Sequence, residues 1–248
     1  MPLSNSLRFR WAKAGYHTRM GSAAVVPPPS ASALRVYYLT SAAYAVNNIA
    51  MRRLKLSRLG DLNDPYEGLV AKWHRVALRD RVQRIRDDYD KATGLLCFSS
   101  DWTSPVLWSH YGDKHRGVCL GFDVLRSAAK SITYQAERLS LTLSELENPK
   151  QPDDLQTKLL FTKYEHWRYE AEVRLLVPLS ACIKEGALHF VPFHRRQLRL
   201  REVILGDRCS LNAKEIKTLT SSMPSSPKTF RARLAGKSYN VVPDEDTV

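Results

Sequence analysis

Residues 163–176, KYEHWRYEAEVRLL, set Glu170 and Glu172 two positions apart, and Arg174 continues the spacing. On a strand these three side chains share one face while Val173 and Leu175 take the other, because successive side chains alternate. Two carboxylates about 7 Å apart on one face repel, and a single guanidinium cannot pair fully with both. Two readings stand at this point. The charges form an exposed strand face with a local ion pair of small worth, or they form one wall of a cleft. In a cleft, paired carboxylates bind protons more tightly or hold a cationic partner. The neighbouring Trp167 and Tyr169 point to partial burial.

Two other stretches carry polar groups at element ends. In LNDPYE, Asn63 and Asp64 precede Pro65 and Glu67; these are turn residues that satisfy their own backbone, and they are also candidates for a site. In LWSHYGDKHRGVC, His110, Tyr111 and His115 crowd a loop bounded by Gly112 and Gly117. Two histidines five apart lack the third ligand that a metal site requires. No Walker A loop, dinucleotide glycine fingerprint, zinc-protease helix or nucleophile elbow is present, which removes several common enzyme classes.

The elements that must position these residues read as α+β. Strands are expected at 34–41, 54–59, 93–100, 117–123, 131–135, 172–179, 187–193 and 200–206. Ser41 caps a helix over 42–53. A second helix spans 72–91, with Leu78, Val82, Ile85 and Tyr89 as its stripe. Asp153 and Asp154 open a third that reaches Trp167, and a last helix covers 212–223. Strands outnumber helices without a regular βαβ rhythm, so mixed or antiparallel strands with flanking helices are predicted.

The 248 residues and 44% hydrophobic content suffice for one domain over 34–248, preceded by a basic, disordered tail at 1–33 that ends in a Pro/Ser/Ala linker. Residues 1–60 hold nine Lys or Arg and no acid, within a net charge of +13; such a balance favours polyanions. Arg75, Arg79, Arg86, Arg195, Arg199 and Arg201 are the candidate contacts for a nucleic-acid-binding module. Cys97, Cys119, Cys182 and Cys209 are widely spaced, which argues against a disulfide or zinc framework and fits a reducing cytoplasm. No stretch approaches the roughly 18 apolar residues of a membrane span. A hydrolase that uses His110 or His115 with Glu67 is a third reading.

The ordered set VYYLTS, LNDPYEG, LLCFS, LWSHYGDKHRGVCLGFD, WRYEAEVR and EVILG resembles the bacterial family called domain of unknown function 2971, over about residues 34–206. More distantly, a strand ending in an aromatic and Thr-Ser, a Cys-Phe-Ser strand and a late Glu-x-Glu resemble the ADP-ribosyltransferase fold. That fold places an Arg or His on the first strand, a Ser-x-Ser or aromatic motif on a middle strand and a glutamate late in the chain. The resemblance implies NAD as substrate, a nucleic-acid or protein acceptor, no metal, and a role in bacterial conflict or stress. It implies Glu172 as the late glutamate, Glu170 as its partner, and Tyr38 at the first-strand position where the pattern has a cation. It also implies a dinucleotide site made of Tyr37, Thr40, Asn63, Asp64, Ser99, His110, Tyr111 and Arg174, with Tyr37 and Tyr111 stacking on nicotinamide. Such chemistry needs a fixed carboxylate beside an oxocarbenium-like centre.

Overall fold

A computed structural model describes residues 26–73, 75–147, 152–193 and 197–245. In chain order the elements are β1 Ala33–Thr40, α1 Ala42–Met51, β2 Arg53–Lys55, α2 Val76–Ala92, β3 Thr93–Ser99, α3 Pro105–His110, β4 Val118–Leu125, β5 Lys130–Ser131 and β6 Thr133–Gln135. They continue with α4 Leu143–Glu147, α5 Pro152–Leu160, β7 Thr162–Tyr164, β8 Glu172–Pro178, β9 Ile183–Glu185, β10 Leu188–Pro192, β11 Leu198–Leu205, α6 Ala213–Thr220, β12 Lys228–Leu234 and β13 Val241–Pro243. The class is α+β, as predicted. Residues 1–25 of the expected tail lie outside the described residues. In the rest of that segment Val26 is buried and the Pro27 carbonyl accepts from Arg35, while Pro27, Pro28, Ser30, Ala31 and Ser32 are exposed.

Eight strands form a mixed sheet in the order β13-β12-β11-β4-β1-β3-β8-β5, antiparallel throughout except for the parallel β11–β12 pair. A small β2-β10-β9 sheet lies apart, as does the parallel β6-β7 pair. Alternation along the central strands sorts their side chains onto two faces. Val36, Phe98, Phe122, Val173 and Leu175 enter the main core with Ala45 and Ile49 of α1 and Ile216 of α6. Burial of Phe122 alone removes apolar surface worth about 2 kcal/mol. The opposite face carries Tyr37 and Leu39, packed with Trp108 of α3, and farther along Leu95 and Cys97, packed with Leu160 and Phe161.

Local signals fix several boundaries. The Ser41 hydroxyl accepts from Tyr44 N–H at the start of α1, and Arg52 closes that helix in the left-handed region at φ 51°. Ser104 caps α3, with Pro105 in its first turn. The helix expected at 72–91 starts only at Val76, because the backbone of Lys72 donates to Leu139 instead. The largest correction is α5, which stops at Leu160 rather than Trp167. Thr162, Lys163 and Tyr164 pair with Thr133, Tyr134 and Gln135, so a sheet partner remote in sequence overrides the helical period there. The expected strand at 131–135 divides between β5 and β6, and β9, β12 and β13 were not predicted at all.

Candidate active site

The pairing register lays one row of residues across five strands. Glu202 lies opposite Gly121, Gly121 opposite Tyr37, Tyr37 opposite Ser99 and Ser99 opposite Glu172. Directly opposed residues of antiparallel strands project from the same face, so the row is one-sided. Gly121 is the gap in it. A Cβ there would come within 2.5 Å of Glu202 Oε2, 2.9 Å of Glu202 Cβ and 3.2 Å of Tyr37 Cε1. Gly121→Ala is therefore expected to displace Tyr37 or Glu202 at a cost of about 1–3 kcal/mol. Thermal melting checks this: a midpoint unchanged from wild type would mean that the approach is looser than the geometry indicates.

At the β8 end of the row the sheet face becomes a buried charge cluster. Arg174, which has no exposed surface, uses all five of its N–H donors. Nη1 reaches Glu67 Oε2 at 2.9 Å and the Leu160 carbonyl at 2.8 Å; Nη2 reaches Glu67 Oε1 at 2.5 Å and Glu172 Oε2 at 3.1 Å; Nε reaches Glu172 Oε1 at 2.6 Å. The Lys163 ammonium serves three carboxylates, Glu170 at 2.6 Å, Glu172 at 3.1 Å and Glu67 at 3.3 Å. Glu170 also accepts from the Tyr111 hydroxyl, which in turn accepts from Asn63 Nδ2 at 3.3 Å. The Tyr134 hydroxyl accepts from the Glu172 backbone N–H at 2.8 Å.

Three carboxylates face two cations, so the cluster carries one negative charge in excess when all are ionised. The two glutamates of the Glu-x-Glu pair respond differently. Burial pushes the Glu172 carboxyl up, but Arg174 and then Lys163 overcome it and hold the group down at about 2. For Glu170 burial prevails over Lys163 and Tyr111, and its carboxyl lies above the ordinary value. Burial would lower the Lys163 ammonium, yet Glu172, Glu67 and Glu170 together raise it. Burial raises the Tyr111 phenol, and its hydrogen bond to Glu170 raises it further. The result is a carboxylate held strongly ionised, a second with raised proton affinity and a phenol donor side by side.

These groups border a cavity of about 300 Å³, whose wall includes Tyr37, Asn63, Ser99, Tyr111, Lys163, Glu170, Glu172 and Arg174. Glu172 and Arg174 thus share a face, as alternation predicts, but the face is a cleft wall and not a solvated surface. Glu170 is not on the strand. It ends a 3-10 segment, Glu165–Glu170, and Ala171 at φ 44° turns the chain into β8. It meets Glu172 through Lys163.

The other predicted site residues stand differently towards the cavity. Tyr38 borders the cavity, but its ring packs edge-on to Phe98 on the core side, the opposite face from Glu172. Burial raises its phenol to about 12. Thr40, of the same strand parity as Tyr38, is buried at the end of β1 and is absent from the cavity wall. Asp64 accepts from Tyr66 N–H at 2.9 Å and holds the turn that presents Glu67; it does not line the cavity. His110 is exposed, 5.8 Å from the Tyr169 ring, and also outside the wall. His115 stacks on Trp108, and Glu67 is occupied by Arg174 and Lys163.

Of the candidate nucleic-acid contacts, Arg75, Arg79 and Arg199 are exposed, with Arg79 3.5 Å from Asp80; Arg86 turns in to the Glu67 carbonyl at 2.9 Å, Arg201 pairs with Asp123 at 3.4 Å, and Arg195 lies outside the described residues. Among the described residues no group of three or more His, Cys, Asp or Glu is arranged to hold a metal, and no helix is long and apolar enough to cross a membrane.

Lys163 was missed from sequence, and Glu67 was named only within a turn and as a partner for a hydrolytic histidine. Lys163 falls within the expected third helix, where no role was assigned to it. Its true position follows from the pairing of 162–164 with 133–135, which no local period announces. Glu67 was read mainly as part of a turn, and its partner Arg174 is 107 residues away.

Residues 107–175 match the model of a family described as "Protein of unknown function (DUF2971)". That segment contains Tyr111, Lys163, Glu170, Glu172 and Arg174, and it leaves out Tyr37, Glu67 and Ser99. No curated protein and no solved structure matches the chain.

Proposed function

We propose that the chain cleaves the bond between nicotinamide and ribose in NAD and passes the ADP-ribosyl group to a macromolecular acceptor or to water. The observation that carries this reading is the register Tyr37–Ser99–Glu172 on adjacent strands β1, β3 and β8. On this reading Tyr37, Ser99 and Glu172 stand for the first-strand, middle-strand and late-glutamate positions of the ADP-ribosyltransferase pattern, and all three border one cavity. Tyr37 takes the first-strand position on that face, not Tyr38.

The electrostatics fit the chemistry. As the C–N bond breaks, its electron pair leaves with nicotinamide and positive charge develops on the ribose. A cluster with one negative charge in excess is complementary to that centre, and Glu172, held ionised by Arg174 and Lys163, offsets the charge without reorganising. Glu170 is placed to accept the proton of the attacking hydroxyl, at a carboxyl that burial has made more basic. Tyr37 and Tyr111 provide aromatic faces for the nicotinamide ring. Neither Tyr37 nor Tyr38 supplies the cation of the pattern. Arg35, on the face of Tyr37, is paired with Asp123 at 2.5 Å and Glu202 at 3.2 Å, while Lys163 and Arg174 bring positive charge to the cavity from β7 and β8.

The test is nicotinamide release from NAD by the purified full chain, alone and with nucleic acid or cell extract added, read by chromatography. Release above the protein-free rate is expected. If a folded sample gives none under any of these conditions, the reading falls and the charge cluster is a structural device.

A further inference from the structure

A second cavity, of about 210 Å³, adjoins the first, and Lys163 lines both. Its rim includes Tyr66 and Tyr164, large aromatic side chains 51% and 46% exposed. Each belongs to a stack. The Tyr164 ring lies flat on His166, with centroids 4.6 Å apart and planes 7° apart. Tyr66 is followed by the Arg138 guanidinium, 4.9 Å from its ring centroid and 3.7 Å from that of Trp73. Arg138 also lines the cavity. Its Nη2 donates to the Leu69 carbonyl at 2.5 Å, while its Nε is buried and makes no hydrogen bond among the described residues.

Half-exposed tyrosine faces beside a guanidinium already stacked between rings suit a flat heterocycle. An aliphatic ligand would leave the ring faces unused. A bare phosphate would meet a mostly apolar wall, with Val70 and Ala136 among its residues. We infer that this cavity is a nucleobase subsite, flanked by Tyr66 and Tyr164 and separated from the carboxylate cluster by Lys163. Its base comes either from the adenine end of NAD or from a nucleic-acid acceptor. Both sources rest on the proposed NAD reaction, whereas base binding itself does not.

The test is calorimetric titration of the full chain with AMP and with a single-stranded oligonucleotide of mixed sequence, using wild type and Tyr164→Ala. Tyr164 is exposed, so the variant is expected to fold. Binding of at least one probe, weakened tenfold or more by Tyr164→Ala, is the expected result. If AMP is the probe affected and KM for NAD rises with kcat unchanged, the base is the adenine of NAD. If only the oligonucleotide is affected, the base belongs to the acceptor. Binding of neither probe, or binding indifferent to Tyr164→Ala, overturns the subsite even where nicotinamide is released. Base binding without nicotinamide release keeps the subsite and removes the NAD reaction.

Discussion

Arg174→Ala is expected to lower stability by about 3–5 kcal/mol, the range found when one member of a buried ion pair is removed. In a domain of this size that corresponds to roughly 10–15 °C in thermal midpoint. The reason lies in what the substitution leaves behind. Glu67 and Glu172 are 1% and 5% exposed, and each has two contacts to the guanidinium. Without it, three carboxylates share the Lys163 ammonium alone. Arg174→Lys keeps the charge but lacks the planar fork, so an intermediate loss is expected. A midpoint for Arg174→Ala within a degree or two of wild type would show that water reaches the cluster and that its charges are not buried as described.

The same cluster sets a pH dependence. The Glu172 carboxyl is depressed from 4.5 to about 2, so its contribution is present above pH 4.5 and is lost as pH falls towards 2. That contribution is about 3 kcal/mol. Glu170 has the opposite sign: its raised carboxyl favours the folded state at low pH, and this is lost as pH rises through its folded value, which partly offsets Glu172. Because Arg174 is the main group holding Glu172 down, wild type should lose stability between pH 5 and 2.5 faster than Arg174→Ala. Denaturant melts at a series of pH values would show the two converging, and parallel curves would contradict the assignment.

Glu172→Gln is expected to reduce nicotinamide release by about 10²–10³-fold, the scale of losing one preorganised electrostatic contact to a developing charge. In bound NAD the positive charge lies on the nicotinamide ring and reaches the ribose only in the transition state, so kcat should fall while KM changes little. The amide keeps the shape of the carboxylate and an acceptor for Arg174, so a folded but less stable protein is expected. Glu170→Gln should have a smaller effect that depends on the acceptor, since that residue is assigned to the incoming hydroxyl. Full kcat in Glu172→Gln would exclude the carboxylate from the reaction and point to the phenols of Tyr37 and Tyr111.

Much of the sheet was legible because it rests on alternation. The apolar runs of β3, β4, β8 and β11 and the cap of α1 are local signals, and the shared side of Glu172 and Arg174 follows from their spacing. The end of α5 was not legible, because residues 162–164 take their conformation from pairing with residues 133–135. The period-2 pattern of β12 was present in the sequence, with Phe230 and Ala232 buried and Arg231 and Arg233 between them, but the intervening charges masked it as a strand.

The sequence by itself determined which side chains project together within each strand, since alternation is a property of the chain alone. It could not determine whether the Glu172 face meets water or a cavity. That depended on the turn carrying Glu67, on β7 carrying Lys163 and on the loop carrying Tyr111, all brought against β8 by tertiary packing. A carboxylate's neighbours in sequence set its direction, but its charge state follows from burial and from the cations within a few ångströms, and here Lys163 came from a segment whose periodicity pointed to a helix.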